Sequence, residues 1–499
     1  MLTRLQISGF KNLVDVDVRF GPFTCITGSG DTGKSNLLDA LRFMQALTED
    51  TLAGAARRML PDDGEATDLR RLFARRGEYA MPEVAIAAEM IIPHEGEDPY
   101  GWRVEAGITL VRYSLVIGRA EEDPHRPCRR LELRSEHLDH INIGDAHLHL
   151  WFPHRANSWR RSVMHGRRAT PFITTETEGS RTIIRLNQDG SGGRPRVIPL
   201  AGATRTALST VNGEENPTAM LVRQEIGSWQ VFRLQPAALQ QPDELTIRPR
   251  LTMTGCHLPA TLLRRSSNEP LPASAEVMTR DAGELSRLAG ELLENVTAVR
   301  LRCDSIRHRL DVEVVDTGGM ARGAGQTGGG TLLFLGMMTA ALPAGPGGLV
   351  CIENPESGQD ARRLGGLVRF LHGMATDVFH AVGPDNALHQ ILITTHSPLV
   401  VNQVPDDSLL VARTRRHAET GVMEAVFEWL PDTWRHERLP DIPTVDKQFL
   451  RELLNPTFTR GEIASRGTPR WRRVPPRRVG DRPDLQPMLP FWRRPHDND

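Results

Sequence analysis

Apolar and polar residues alternate over residues 2–8 and again over 14–20, the period-two signature of two strands, joined at Gly9-Phe10-Lys11-Asn12. The next apolar stretch, Phe23-Thr24-Cys25-Ile26-Thr27, is continuous instead, as in a strand buried on both faces of a parallel sheet. A Gly-rich loop follows. Leu37, Leu38, Leu41 and Met44 then recur at helical spacing and predict a helix with one apolar face. Residues 83–92 and 103–118 read as strands of an antiparallel edge sheet, which closes a first lobe at residue 120.

From 121 to 295 the pattern loosens into Arg-rich, Pro/Gly-punctuated sequence, expected to be an inserted α+β region. It holds one hairpin, Thr182 to Leu186 and Pro195 to Leu200, and a helix opened by Asn216-Pro217 with Val222, Ile226 and Trp229 on one face. A second helix is expected over 273–295. Strand character returns over 296–315, and Gly328-Gly329-Gly330 precedes an apolar helix over 331–342. The apolar runs Gly348 to Ile352 and Gln390 to Thr394 flank a helix over 359–372, the βαβ rhythm of a parallel sheet. This second lobe is expected to span 296–455.

Composition narrows the class. Hydrophobic residues make up 39% and charged residues 25%, as in a soluble globular chain. The 61 basic and 62 acidic residues nearly cancel, so any nucleic-acid surface must be local. The first residues alternate instead of forming a signal-peptide core, and no run of eighteen apolar residues occurs, so the expected location is cytoplasmic, with no membrane partner. Five scattered cysteines with no C-x-x-C pair argue against a disulfide framework and a cysteine zinc site. From Arg460 to Arg494 ten arginines face Glu462, Asp481 and Asp484, so residues 456–499 are expected to form a disordered basic tail. Such a tail suits DNA phosphates or simple solubility, and the sequence leaves both open.

Gly28-Ser29-Gly30-Asp31-Thr32-Gly33-Lys34-Ser35 fits the G-x-x-x-x-G-K-[ST] phosphate loop between a strand and a helix. Only Lys11, Lys34 and Lys447 are lysines, so a lysine at this position is informative. Glycines let backbone N–H groups wrap phosphates at a helix N-terminus, the lysine meets the β- and γ-phosphates, and the hydroxyl meets Mg²⁺. The apolar run ending in Glu353-Asn354-Pro355-Glu356 delivers carboxylates to a strand tip, where Glu353 is the candidate metal ligand. A third run delivers His396, suited to the γ-phosphate or the attacking water. His137, His140, His147, His149 and His154 crowd one stretch and read as a solvated surface more readily than as a metal site.

The start Ile7-Ser8-Gly9-Phe10-Lys11-Asn12, the phosphate loop continuing through Ser35-Asn36-Leu37-Leu38-Asp39-Ala40-Leu41, Ile352 to Glu356 and Thr394-Thr395-His396-Ser397-Pro398 together resemble the AAA-type ATPases of the overcoming-lysogenization-defect class. Those are relatives of the ABC-type heads of SMC and RecF proteins. The resemblance implies an α/β P-loop NTPase of the ABC-head kind, with a mixed core sheet flanked by helices and an antiparallel edge sheet. It implies ATP and Mg²⁺ as cofactors and a homodimer or higher homo-oligomer with ATP sandwiched between subunits. Lys11, Asn12 and Asn36 join the nucleotide set, and Thr327-Gly328-Gly329-Gly330 matches the signature that faces the nucleotide in trans. Ser35 and Glu353 fall to the metal; Glu353, Glu356 and His396 fall to catalysis.

Three departures stand out. Gly30-Asp31 adds a carboxylate where the family commonly has Asn-Gly, Gly-Gly-Gly-Thr stands for a Ser-Asp-Gly-Thr signature, and Asn354 occupies the position of a second Glu taken as catalytic base. The implied function is an ATPase that dimerises on ATP and couples nucleotide state to DNA or to a partner effector, in anti-phage defence or DNA maintenance. The alternative is a nucleotide-gated scaffold with little turnover that recruits a separate nuclease or toxin chain. A nuclease within this chain is disfavoured, since no Asp-x-Asp strand pattern follows Pro398.

Overall fold

The computed structural model describes residues 1–60, 67–76, 79–120, 128–190, 193–245, 250–265, 276–277, 280–304, 306–343, 348–416, 421, 423–442 and 444–454. The expected tail therefore lies outside the described residues.

Two large sheets organise the chain. The core sheet runs in the order Gln230–Phe232, Leu349–Glu353, Gln390–Thr395, Phe23–Thr27, Leu409–Arg416, Met423–Trp429. Its first five strands are parallel and the last is antiparallel, so the sheet is mixed. Phe23–Thr27 is buried at every position, as a central parallel strand covered on both faces must be. The helix Lys34–Leu47 seals one face, with Leu37, Leu38, Leu41 and Met44 at most 1% exposed. Each such side chain contributes about 1.5–3 kcal/mol of burial. The helix Gly329–Ala341 is buried continuously from Leu332 to Ala341, and it packs in the core shared by the sheet and the helices Leu258–Arg265 and Ala361–Gly373.

The second sheet is antiparallel, in the order Arg196–Pro199, Arg181–Leu186, Ile173–Glu178, Leu131–His140, Leu110–Arg119, Glu83–Ile91, Leu2–Phe10, Leu13–Arg19. This corrects the expected boundary at residue 120. Residues 131–199 extend the edge sheet, Pro217–Gly227 packs in its core, and Gln230–Phe232 is an edge strand of the core sheet. The segment expected as an insertion is thus shared among the layers. Its later part supplies the helix Arg280–Leu292, shorter than the expected 273–295, which backs a small sheet of the second lobe in which Ala298–Asp304 pairs with Arg309–Val315.

Asn216 stands at the N-cap of Pro217–Gly227, but its side chain does not cap. Its Nδ2 donates to Asn187 O at 3.0 Å, and the helix N-terminus is satisfied by Asp189 Oδ2, which accepts from Thr218 N at 3.1 Å. The four buried cysteines and the partly buried Cys256 are free thiols. No described helix is long and apolar enough to cross a membrane.

Candidate functional site

The site lies where the central parallel strands end. Thr27 pairs in register with Thr395, and Thr394 with Glu353, so the tips of three adjacent strands converge beside the phosphate loop. Gly28 leaves the first of them at φ 153°, and a Cβ there would stand 2.3 Å from Ala412 O. At Gly33, φ is 97° and a Cβ would meet that of Ala425 at 2.5 Å. Two neighbouring strands therefore press on the loop and admit only glycine at its ends.

Lys34 opens the helix with its side chain folded back into the loop. Its Nζ donates to Ser29 O at 2.7 Å, to Gly28 O at 2.8 Å and to Thr32 Oγ1 at 3.2 Å. Burial lowers its pKa to about 8, against the opposing pull of Glu353, Asp31 and Glu356. Ser29, Gly30, Asp31 and Ser35 are exposed. Asn12 Oδ1 accepts from Asn36 Nδ2 at 2.8 Å, which ties the first hairpin to the loop helix.

Ser35 Oγ donates to Glu353 Oε1 at 2.5 Å. Glu356 turns back over the histidine strand, with Oε1 accepting from Thr395 Oγ1 at 2.8 Å and from His396 N at 3.0 Å. Between them Asn354 adopts φ 50°, a left-handed conformation that asparagine tolerates better than most residues. Thr27 Oγ1, Thr394 Oγ1, Asn354 Oδ1, Glu356 Oε2 and Gln359 Oε1 are all buried without a hydrogen-bond partner. A buried polar atom normally has a partner, so this clustering at the strand tips marks a polar ligand site. A lysine and a hydroxyl beside a carboxylate fit a metal-bound polyphosphate, whereas the unpartnered acceptor oxygens of Asn354, Glu356 and Gln359 call for donors such as water.

No family model matches the chain, and no curated protein matches it. Solved structures overlap it loosely. One is an SMC head bound to the C-winged helix domain of ScpA, at TM-score 0.44 and 12% identity over 86% of this chain and 98% of that one. Others are the SMC head domain from Thermotoga maritima, at TM-score 0.36 and 11% identity over 85% and 98%, and a Pyrococcus furiosus Smc head with an extended coiled coil bound to the C-terminal domain of ScpA, at 0.39 and 11% over 86% and 96%. With TM-scores below 0.5, function must be argued from the site itself.

The site gathers residues 28–36, Asn12, Glu353, Glu356 and His396. Lys11 joins it through Asp39: its Nζ holds Asp39 Oδ2 at 2.6 Å, on the loop helix. Thr327 to Gly330 form the N-terminus of the helix Gly329–Ala341, docked on the turn after Glu356, where Gln359 Nε2 donates to Gly330 O at 3.0 Å. Further along that helix, Leu333 and Met337 line a cavity of about 370 Å³ together with Ser35, Arg233, Glu353 and Asn354. Sequence reasoning missed Arg233, which follows the edge strand and donates from Nε to Glu353 Oε2, and missed Asp39 and Thr27 as members of the site. A strand tip carrying a cation, Phe232-Arg233, was the available signal.

The clustered histidines go separate ways. His149 Nδ1 meets Glu89 Oε2 at 2.8 Å, His147 Nδ1 meets Gly144 O at 2.9 Å and His154 Nδ1 meets Phe152 O at 2.8 Å. Among the described residues no group of three His, Cys, Asp or Glu is arranged to hold a metal ion by itself.

Proposed function

We propose that the chain is an ABC-type ATPase head that binds ATP with Mg²⁺ and hydrolyses it. The carrying observation is the meeting of Ser35 Oγ and Glu353 Oε1 at 2.5 Å beside the loop that encloses the Lys34 ammonium. Lys34 and the N–H groups of the loop hold the β- and γ-phosphates; Ser35 and Glu353 hold the metal side. Mg²⁺ held by these two side chains would neutralise phosphate charge and polarise the γ-phosphate. Glu356, anchored through Oε1, keeps Oε2 free to accept a proton from the attacking water, and His396 stands beside it at the strand tip.

The proposal extends to a homodimer. The backbone N–H groups at the start of Gly329–Ala341 carry no side-chain cap, which suits Thr327 to Gly330 to phosphates of a second subunit's nucleotide. Nucleotide state would then be passed to DNA or to a separate nuclease or toxin chain, in DNA maintenance or anti-phage defence. Asn354 favours a second reading, the slowly turning nucleotide-gated scaffold, because its neutral amide cannot accept a proton. Light scattering combined with phosphate release separates these. ATP with Mg²⁺, but not ADP, should increase the mass, and phosphate release distinguishes an ATPase from a scaffold. A strict monomer that releases no phosphate would contradict both readings.

A further inference from the structure

Arg233 stands between two carboxylates. Its Nε donates to Glu353 Oε2, and its Nη2, which makes no hydrogen bond, lies 3.5 Å from Asp39 Oδ1. Glu353 commits its other oxygen to Ser35. Asp39 already holds two cations, Lys11 Nζ at 2.6 Å and Arg42 Nη1 at 3.0 Å. The side chains of Glu353 and Asp39 are only 13% and 11% exposed, so each carboxylate depends on a nearby counter-ion more than on water.

We propose that Arg233 is a built-in rival of Mg²⁺ for Glu353, the guanidinium and the metal ion being alternative counter-ions of one carboxylate, with Asp39 receiving the arginine when the metal is taken up. The proposal rests on the reading of Ser35 and Glu353 as the metal side of an ATP site. Three observations support it. A guanidinium on one oxygen of Glu353 repels a dication approaching the other, so both cannot be held at full strength. The arginine has somewhere to go, since Asp39 is within ion-pair range and the cavity shared by Arg233, Glu353 and Ser35 leaves room for a side-chain rotation. Asp39 is a weak attractor because Lys11 and Arg42 already share its charge, so Arg233 rests on Glu353 until a stronger cation displaces it. The pair keeps the carboxylate neutralised when metal is scarce and raises the Mg²⁺ level at which the site closes on nucleotide.

The test is the Mg²⁺ midpoint for binding of a fluorescent ATP analogue to the full chain. Arg233→Gln removes the rival charge and is expected to lower the midpoint about tenfold, on the scale of repulsion from one unit charge in a partly solvated site. Asp39→Asn removes the receiving carboxylate and is expected to raise it. Arg233→Lys keeps a cation beside Glu353 and should stay near the native midpoint, which separates charge from packing. An unchanged or higher midpoint in Arg233→Gln overturns the proposal; a higher one would make Arg233 a positioning residue for Glu353. A native chain that binds no nucleotide at any Mg²⁺ level overturns the ATP-site reading itself.

Discussion

Ser35 Oγ and Glu353 Oε1 lie 2.5 Å apart across 318 residues of sequence. The first sits on the opening turn of the loop helix, the second at the tip of a strand separated from the loop strand by the histidine strand. Glu353→Gln keeps a similar shape but loses the charge, so the Mg²⁺-dependent part of ATP affinity should fall by about 10–100-fold. Calorimetry with and without EDTA checks this, and metal-free binding should change little.

Lys34 links the site to pH. Its pKa is lowered to about 8 in the folded chain from the ordinary lysine value of 10.5, so between these values the unfolded chain binds more protons and stability rises with pH. Phosphate prefers the ammonium form. ATP affinity should therefore be level below pH 7.5 and fall above pH 8, by at most about tenfold per unit. Lys34→Arg, which stays charged, should show no such fall in a titration from pH 6.5 to 9.5.

Glu356 is the base we propose, since its carboxylate can accept a proton and the amide of Asn354 cannot. Glu356→Gln is expected to lower ATP turnover by about 10²–10⁴-fold and to leave nucleotide affinity within a few-fold of native. Asn354→Glu adds a carboxylate at φ 50°, where a residue other than Gly or Asn is strained, so it should cost about 1 kcal/mol of stability. Phosphate release and urea unfolding measure both. Full turnover in Glu356→Gln would remove its assigned role.

Gly28→Ala should act on the fold and the site together. The new Cβ would stand 2.3 Å from Ala412 O, so the strand Leu409–Arg416 or the loop must shift, at about 1–3 kcal/mol. Urea unfolding and ATP affinity should both show loss; native values in both would mean that the loop is not clamped.

What could be read in advance was what is local. Residues 28–35 form a contiguous motif, and Glu353 and His396 end apolar runs, so each shows itself within ten residues. Arg233 and Asp39 could not be found that way, because their meaning lies in an ion-pair chain joining residues 11, 39, 233 and 353. The resemblance places Lys11 with the nucleotide, and what the sequence does not show is that its ammonium pairs with Asp39. The strand Leu131–His140 was hidden by its own irregularity: the register slips between Leu133 and Ser135, and the inward position after the slip is Glu136. That buried carboxyl group accepts from Ala207 N at 2.6 Å, Leu208 N at 2.9 Å and Tyr113 Oη at 2.9 Å, so a polar side chain stands where alternation calls for an apolar residue. The strands Leu409–Arg416 and Met423–Trp429 were missed for a related reason, with Arg413, Arg415 and Arg416 paired to Glu428, to the buried Glu424 and to Gly421 O.

The most direct measurement is titration of the purified full chain with ATP and Mg²⁺, native against Lys34→Ala, with thermal unfolding as a control on the fold. The account predicts saturable binding by the native chain and at least a hundredfold weaker binding by Lys34→Ala, a loss of roughly 3 kcal/mol for a charged phosphate contact. Equal affinity in the two folded proteins, or no binding by either, would contradict it.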